Sequence, residues 1–441
     1  MKTLFHLPFL SFTIATQNPA TIRLAFGEGT ELSISWNSNH SCSSDTLFYG
    51  LTKSELNYTA NVERRCKVYK GDDIHHVILR GLRSGTEYFA SVPCSSEVIS
   101  FRTAPQADTK KSFSFGVYAD LGPVKGEDTL SALRSTQSSL VGHLFAGDIG
   151  YADDAFMHGQ SYIGRTIEFV QDIASSAGSI PIMVAPGNHE AEDHTPLCLL
   201  SRACREGFGN FSAYNCIWNM PSTERRHSMW YSFNYGPIHF VMTNTETDFD
   251  GAPLQPYGEV GFIPTGSFGE PGEYQRWLRS DILKAHEDRH IRPFIIVVGH
   301  RPITVLDDKS DPFITPLNQD MIDLIGTYAD AYIAGHVHYY ARSIPKPHAA
   351  FQAISITVGG SGCDEWSERV IQDTRRGETE TMEYFGYGDE QTVGFLNFDG
   401  ERPDELVFEL KRSRDLHLVD RIVIPKRRDK KHLDTPVVIT Q

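Results

Sequence analysis

The sequence predicts two domains: a β-sandwich, followed by a larger α/β domain whose strands are mostly buried. Three observations support this prediction: the chain length, a change of apolar pattern near residue 105, and polar clusters that follow short apolar runs. A chain of 441 residues is longer than the roughly 250–300 residues at which a single hydrophobic core stops growing. With 40% hydrophobic and 22% charged residues, the composition is that of a globular protein and argues against disorder.

The first predicted domain covers residues 19–105 and has the pattern of a β-sandwich. Short β-prone runs alternate with turns rich in Gly, Ser and Asn, as expected for antiparallel strands. Because side chains alternate along a strand, Leu32, Ile34 and Trp36 fall on one face. The segment 82–88 resembles the tyrosine corner of a fibronectin type III domain, with Trp36 as the core tryptophan.

The second predicted domain covers residues 112–425 and follows a polar linker. Its short apolar runs lack alternation, which suits strands buried on both faces. The segment from Tyr274 to His286 has the apolar spacing of a helix. The predicted buried strands are Phe113 to Tyr118, Leu140 to Ala146, Ile180 to Ala185, Ile238 to Met242, Phe294 to Val298 and Ala331 to Ala334.

The charge balance bounds the partners of the protein. A formal net charge of -15 argues against nucleic acid, because phosphate backbones are held mainly by Lys and Arg. A phosphorylated substrate must therefore be attracted by a local cationic group. No apolar run reaches the ~18 residues that cross a bilayer, so no membrane span is predicted. The oligomeric state is not legible from the sequence.

The N-terminus predicts export. Residues 1–15 resemble a secretory signal peptide, with a lysine, an apolar stretch and small residues near its end; the alternative is a strand leading into the first domain. Glycosylation sequons begin at Asn39, Asn57 and Asn210 and agree with export. We therefore expect a secreted or extracellular protein, or one delivered to a vacuole or lysosome.

The cysteines also fit an oxidising compartment. No CxxC pair occurs among the seven, so a thiolate zinc site is not predicted. Disulfides with one thiol left over are expected, and their pairing stays open. The cysteines are Cys42, Cys66, Cys94, Cys198, Cys204, Cys216 and Cys363.

Side chains that can bind a metal follow five of the six predicted strands. In open α/β sheets, ligands bind outside the carboxyl ends of the strands. One aspartate after a strand is commonplace, whereas five such clusters indicate a shared site. The clusters are Ala119-Asp120-Leu121-Gly122, Gly147-Asp148-Ile149-Gly150-Tyr151, Gly187-Asn188-His189-Glu190, Val297-Val298-Gly299-His300 and Gly335-His336-Val337-His338.

These clusters resemble the five blocks of the purple acid phosphatase branch of the calcineurin-like metallophosphoesterases, and the resemblance spans nearly the whole chain. It implies an α-β-β-α layered metallophosphoesterase domain. It also implies a binuclear centre of Fe(III) and a divalent metal, which is Zn, Mn or Fe. By resemblance, Asp148 bridges the two metals. The other implied ligands are Asp120, Tyr151 and His338 for Fe(III), and Asn188, His300 and His336 for the divalent metal.

Two positions distinguish this branch from its relatives. Most calcineurin-like enzymes have a metal-binding His two residues after the first Asp, where this chain has Gly122. Tyr151 instead can supply a phenolate. A phenol of pKa about 10 is a poor ligand for Zn(II) or Mn(II) at acid pH, whereas Fe(III) can hold it deprotonated. The alternative for Tyr151 is a packed core tyrosine.

The implied function is an acid phosphatase that hydrolyses phosphate monoesters. A metal-bound hydroxide attacks phosphorus in line, and the charge of Fe(III) predicts an acid optimum. His189 is expected as a catalytic leaving-group acid or a phosphate contact, beside the substrate-side Asn188. Best-known plant relatives carry further histidines soon after the fourth block, where this chain has Lys309, a candidate phosphate contact or a solvated loop residue.

Three alternatives remain open at this point. A related phosphodiesterase or nucleotidase would use Zn or Mn pairs, and Gly122 with Tyr151 argues against it. Phytase activity would be a substrate variant of the main prediction. A catalytically inactive phosphate-binding or adhesion protein would lack some of the metal-binding side chains, yet every expected metal ligand is present in the sequence.

Overall fold

The computed structural model describes most of the chain. The described residues are 21–38, 44–67, 73–93, 95–153, 155, 162–191, 211–221, 227–248, 268–303, 319–346, 349, 351–363, 375–378, 382–388 and 390–427. The predicted signal peptide and the sequons at Asn39 and Asn210 therefore lie outside or begin outside these residues. Among the described helices, none is long and apolar enough to cross a membrane.

The first eight strands form two four-stranded sheets with the orders β1-β2-β6-β5 and β4-β3-β7-β8. All pairings within them are antiparallel. The strands are β1 Ile22–Phe26, β2 Leu32–Ser38, β3 Thr46–Gly50, β4 Tyr58–Asn61, β5 Arg64–Lys67, β6 Asp73–Leu79, β7 Glu87–Ser91 and β8 Val98–Arg102.

The core of this sandwich contains the two aromatic residues that the sequence singled out. Trp36 is fully buried, and Tyr88 is 5% exposed. The backbone N–H of Arg83 donates to the hydroxyl of Tyr88 over 3.0 Å, which is the hydrogen bond of a tyrosine corner. The predicted β-sandwich is therefore confirmed.

The second domain contains two mixed sheets and helices. The six-stranded sheet has the order β11-β10-β9-β20-β21-β22, and the eight-stranded sheet has the order β12-β13-β14-β15-β17-β16-β19-β18. The strands are β9 Phe113–Tyr118, β10 Gly142–Ala146, β11 Ile182–Ala185, β12 Tyr231–Tyr235, β13 Ile238–Met242, β14 Phe294–Val298, β15 Ala331–Ala334, β16 Tyr340–Pro345, β17 Ile354–Val358, β18 Arg375–Glu378, β19 Met382–Tyr387, β20 Thr392–Phe398, β21 Glu405–Arg412 and β22 Leu418–Pro425. The helices are α1 Glu127–Thr136, α2 Tyr162–Ala177, α3 Ser212–Ile217, α4 Glu273–Glu287 and α5 Gln319–Tyr328.

The two sheets pack face to face with helices outside them. The ring centroids of Phe115 on β9 and Phe240 on β13 lie 5.0 Å apart between the sheets. Helices α1 and α2 pack together beside β20, whereas α4 and α5 pack together, with α4 against β13 and β14. This sandwich of sheets covers both faces of the central strands, so their apolar runs show no alternation. The α-β-β-α layering expected from the resemblance is observed.

A polar seam joins the two domains. Cys66 on β5 forms a disulfide with Cys216 on α3, a pairing that the sequence left open. The guanidinium of Arg64 donates to the carbonyl of Asn215 over 2.8 Å. His76 donates to the carbonyl of Cys216 over 2.9 Å. The seam also explains why every residue of β2 is buried, because its second face packs against the second domain instead of solvent.

Candidate metal centre

The predicted site residues come from the carboxyl ends of neighbouring strands in both sheets. Strands β9, β10 and β11 are parallel neighbours, as are β14 and β15, so each set delivers its loops to one edge. The residues are Asp120 after β9, Asp148 and Tyr151 after β10, Asn188 and His189 after β11, His300 after β14, and His336 and His338 after β15.

The backbone of these loops adopts an uncommon conformation. Four proposed ligands have a left-handed φ: Asp120 at 54°, Asp148 at 55°, Tyr151 at 49° and His336 at 68°. Such angles cost free energy in residues other than glycine and cluster at functional sites. Gly147 has a φ of +85°, and a Cβ atom there would lie 2.5 Å from Nδ1 of His300. Only glycine therefore allows this close approach of the two loops.

Three donor atoms form a triangle at one side of the site. Oη of Tyr151 lies 3.3 Å from Oδ1 of Asp120 and 3.3 Å from Nε2 of His338. Nε2 of His338 lies 3.5 Å from Oδ1 of Asp120. A cation that binds its ligands at about 2.1 Å separates them by about 3.0 to 3.4 Å, depending on coordination geometry. The triangle therefore has the size of a metal-binding face.

A second group of donor atoms surrounds His300, which is fully buried. Its Nδ1–H donates to the carbonyl of Ala146 over 2.9 Å, which leaves a lone pair on Nε2 in the neutral ring. Nε2 lies 3.1 Å from Oδ1 of Asn188 and 3.1 Å from Oδ2 of Asp148. That Oδ2 atom is buried and receives no hydrogen bond. Three lone pairs thus converge, and a cation is the group that would satisfy them.

Asp148 belongs to both groups. Ligand atoms of Asp148, His300 and His336 lie within 4.8 Å of one another, and so do those of Asp120, Asp148 and His338. A carboxylate shared between two clusters of ligands is the arrangement that a pair of metals requires. The residues therefore fit the binuclear centre that the resemblance implies.

A buried ion pair stands behind the ring of His336. The guanidinium of Arg301 pairs with the carboxylate of Glu246, with Nε to Oε1 and Nη2 to Oε2 separations of 3.0 and 2.8 Å. Nη1 of Arg301 lies 3.0 Å from Nε2 of His336. Both charged residues are at most 1% exposed. This pair holds the ring in place, as supporting residues around metal ligands commonly do.

Glu190 connects the two loops that carry Asp148 and Asn188. Its carboxylate accepts backbone hydrogen bonds from Gly187 over 2.7 Å, Asp148 over 2.9 Å and Ile149 over 2.7 Å. The buried side chain of Glu190 therefore holds the backbones of the two loops together. Burial and the neighbouring Asp148 raise the pKa of this carboxyl to about 7, whereas the hydrogen bonds from the backbone oppose the shift.

The ionisation of the site follows from crowding and burial. Burial, together with Cys363 and the two aspartates, raises the pKa of Tyr151 well above its ordinary value. Although burial opposes the charged form, the carboxylate of Asp148 raises the pKa of His300 to about 9. Against burial, His300 in turn lowers the pKa of Asp148. These opposite shifts show that the surroundings of the two side chains favour a positive charge, which a bound cation would supply.

His189 does not point its ring like a ligand of the two groups. Its Nδ1 lies 2.8 Å from a carboxylate oxygen of Asp153, and its Nε2 lies 3.9 Å from Oδ2 of Asp148. The ring packs against Tyr151 with centroids 4.5 Å apart. Asp153 was missed by the sequence analysis, because its neighbour Asp154 is the same residue type and the spacing does not separate them.

Lys309, the candidate phosphate contact, lies outside the described residues.

Gly122 stands where most relatives are expected to have a histidine. Its backbone N–H donates to the carbonyl of Gly362, in the loop after β17, over 3.1 Å. The next residue in that loop, Cys363, is buried against Tyr151. The space near Gly122 is thus filled by backbone and by the loop that supports the tyrosine.

Comparison with known proteins identifies the family. The calcineurin-like phosphoesterase model matches residues 113–340, and the model for the N-terminal domain of purple acid phosphatases matches residues 19–103. The first match covers more than half of the chain. The chain therefore belongs to the calcineurin-like phosphoesterase family, in its purple acid phosphatase branch. This family implies a binuclear metal centre, in agreement with the shared position of Asp148.

Individual relatives agree with this assignment. Acid phosphatase A of Cryphonectria parasitica is 26% identical, with 90% of each chain covered. Purple acid phosphatase 22 of Arabidopsis thaliana is 29% identical over 62% of this chain, which spans 54% of the plant protein. The structure of a purple acid phosphatase from yellow lupin (Lupinus luteus) seeds superposes with a TM-score of 0.70 at 19% identity, covering 92% of this chain and 74% of the lupin chain. At that identity the superposition supports the fold alone.

Proposed function

We propose that this protein is a secreted acid phosphatase that hydrolyses small phosphate monoesters with an Fe(III)–M(II) centre. The observation that carries the proposal is the pair of donor groups that share Asp148. The acid phosphatases among the relatives support the reaction class. A phosphomonoester is a compact dianion, and such a ligand suits a site in which two cations offset a strongly acidic chain.

The two donor groups differ in the metal that they favour. Asp120, Tyr151 and His338 would hold Fe(III), because a buried phenol of raised pKa needs a trivalent ion to lose its proton. The divalent metal, which is Zn, Mn or Fe, would take the amide and imidazole groups. Its proposed ligands are Asn188, His300 and His336, with Asp148 shared. When bound, the two cations would neutralise the phosphoryl oxygens and lower the pKa of water enough to supply hydroxide at acid pH.

His189 is the protein group that we assign to proton transfer. The Asp153 carboxylate, 2.8 Å from Nδ1, accepts a hydrogen bond from Nδ1–H and fixes the orientation of the ring. Nε2 is then the nitrogen on the side of the centre, where it can donate a proton to the departing ester oxygen or hold a phosphoryl oxygen. General-acid groups of this kind contribute roughly 10²- to 10⁴-fold in rate.

The proposed destination outside the cell also has support. The Cys66–Cys216 disulfide fits an oxidising compartment, and the N-terminal pattern fits export.

A comparison of ester substrates tests the reaction class. The metal-loaded protein should hydrolyse p-nitrophenyl phosphate faster at about pH 5 than at about pH 8, and faster than bis(p-nitrophenyl) phosphate at either pH. Faster cleavage of the diester, in protein that contains Zn or Mn but no iron, would instead establish the phosphodiesterase alternative.

A second experiment tests the role of His189. His189→Ala should lower kcat on phenyl phosphate far more than on p-nitrophenyl phosphate. Phenolate is a poor leaving group that needs a proton as it departs, whereas p-nitrophenolate can leave without one. Asp153→Asn should show the same bias more weakly. Equal losses on both substrates would assign His189 to binding and not to acid catalysis.

A further inference from the structure

In the part of the chain that the structure describes, the outer sheet of the sandwich ends in an edge strand with no further strand beside it. Strand β4 is the terminal strand in the order β4-β3-β7-β8 and pairs only with β3 in that sheet. Its sequence, Tyr-Thr-Ala-Asn, contains neither charge nor proline. Natural proteins usually protect such edges with charges, prolines or a covering group, because an open edge templates aggregation.

The same edge exposes apolar side chains. Phe48 on β3 is 46% exposed, and Tyr58 on β4 is 50% exposed. Phe48 lies opposite Thr59 in the strand register, so these two side chains share the outer face. Leu51, just after β3, is 38% exposed. Large exposed aromatics beside an open strand are an aggregation liability unless something covers them.

A glycosylation sequon coincides with this edge. Asn57 directly precedes β4, and Asn57, Tyr58 and Thr59 are all exposed. Because side chains alternate along an extended chain, Asn57 continues the outer face that holds Thr59 and Phe48. One face of the sheet therefore holds Asn57, Thr59 and the exposed ring of Phe48. The other sheet of the sandwich carries the seam with the catalytic domain, so this face lies away from that contact.

We propose that Asn57 carries an N-linked glycan whose first sugars cover Phe48 and the open edge of β4. The apolar C–H face of a pyranose packs on an aromatic ring, and the hydroxyls keep the covered surface soluble. The proposal rests on the proposed export and not on the phosphatase chemistry. A glycan on Asn57 would modify the β-sandwich and leave the metal centre unchanged.

Mass spectrometry of the full chain, secreted by a eukaryotic host, tests the modification. Wild type and Thr59→Ser should carry a glycan on Asn57, because both keep the sequon, whereas Asn57→Gln and Thr59→Ala should carry none. Metal content and phosphatase activity should be the same in all four proteins. An unmodified Asn57 in secreted wild-type protein would overturn the proposal, and this outcome is separate from any loss of activity.

Aggregation measurements test the covering role. Asn57→Gln, and wild type treated with a glycosidase after folding, should aggregate faster on warming than the glycosylated protein. Adding Phe48→Ser to Asn57→Gln should slow this aggregation again, because the exposed ring is its cause. Equal aggregation of glycosylated and deglycosylated protein would remove the covering role.

Discussion

The metal centre and the domain seam both bury polar side chains, but they satisfy them differently. At the seam, Nδ1 of His76 lies 2.7 Å from the hydroxyl of Ser35, and Nε2 donates to the carbonyl of Cys216, so both ring nitrogens have protein partners. At the centre, Nε2 of His300 faces acceptor oxygens of Asn188 and Asp148. Burial of polar groups alone does not mark a functional site. Ligand-type atoms from separate loops that converge on one shared carboxylate do.

The two histidines also differ in the direction of their pKa shifts. Burial, reinforced by Arg64 and Arg23, lowers the pKa of His76 well below its ordinary value. Burial also opposes the charge of His300, yet Asp148 raises its pKa to about 9. The seam is therefore adapted to a neutral ring, and the centre to a cation. Substitutions in each region test this difference.

The largest effect is expected at the shared carboxylate. Asp148→Ala should lose both metals and lower kcat/KM by about a thousandfold or more, because Lewis-acid stabilisation by the cations is worth several kcal/mol. Metal analysis and phosphatase assays check this, with Asp404→Ala in an exposed turn as the matched control. A variant that keeps both metals would show that Asp148 is not shared between them.

The next effect concerns the seam. Replacing Cys66 and Cys216 together by serine should lower the free energy of unfolding by about 2 to 5 kcal/mol, because the disulfide closes a long loop in the unfolded chain. The two residues are 150 positions apart. Denaturant unfolding measures the loss, and metal content should stay unchanged. Loss of metal in the folded double variant would contradict the independence of the two regions.

A smaller effect is expected at the carboxylate that supports the loops. Glu190→Gln places an N–H donor against backbone N–H groups and should weaken affinity for both metals by about 10- to 100-fold. Competition with a chelator measures the two affinities. Glu401→Gln, exposed in the turn between β20 and β21, is the matched control. If stability falls while both affinities stay the same, Glu190 has a structural role only.

The smallest effect is a pH dependence at the seam. Above about pH 6.5 His76 is neutral in both the folded and the unfolded protein. Below that value His76 binds a proton in the unfolded chain but stays neutral in the folded protein, because folding lowers the pKa of this histidine. Stability therefore falls as the pH is lowered below about 6.5, at a limiting rate of about 1.4 kcal/mol per pH unit.

His76→Gln should remove this contribution. Unfolding curves at about pH 7.5 and about pH 5 should differ less in the variant than in wild type. His417→Gln, at an exposed residue, should leave the difference unchanged. If the free energy of unfolding depends equally on pH in wild type and His76→Gln, protonation of His76 does not destabilise the folded protein.

Local sequence pattern predicted the fold because the buried strands are continuous in the chain. The predicted runs Phe113 to Tyr118 and Ile238 to Met242 coincide with β9 and β13. The predicted helix from Tyr274 to His286 is α4, extended by one residue at each end. The runs from Leu140 and Ile180 begin two residues before their strands, because the apolar pattern starts in the approach to the sheet.

Contacts between distant segments could not be predicted in this way. The Cys66–Cys216 pairing depends on how α3 docks on the sandwich, and seven cysteines leave many pairings open. Asp153 beside His189 and Glu246 beside Arg301 are acidic residues in loops with no distinguishing spacing. The sequence predicted the ligand types because each follows a strand; their supporting partners are fixed only by tertiary packing.

The central claim is that Tyr151 binds a ferric ion as a phenolate, and its absorption spectrum is the most direct test. Iron-loaded wild-type protein should show a broad visible charge-transfer band, and Tyr151→Phe should lose the band per bound iron. Iron quantitation on the same samples separates loss of the ligand from loss of the metal. A colourless iron-loaded wild type, or a band that persists in Tyr151→Phe, would contradict the claim.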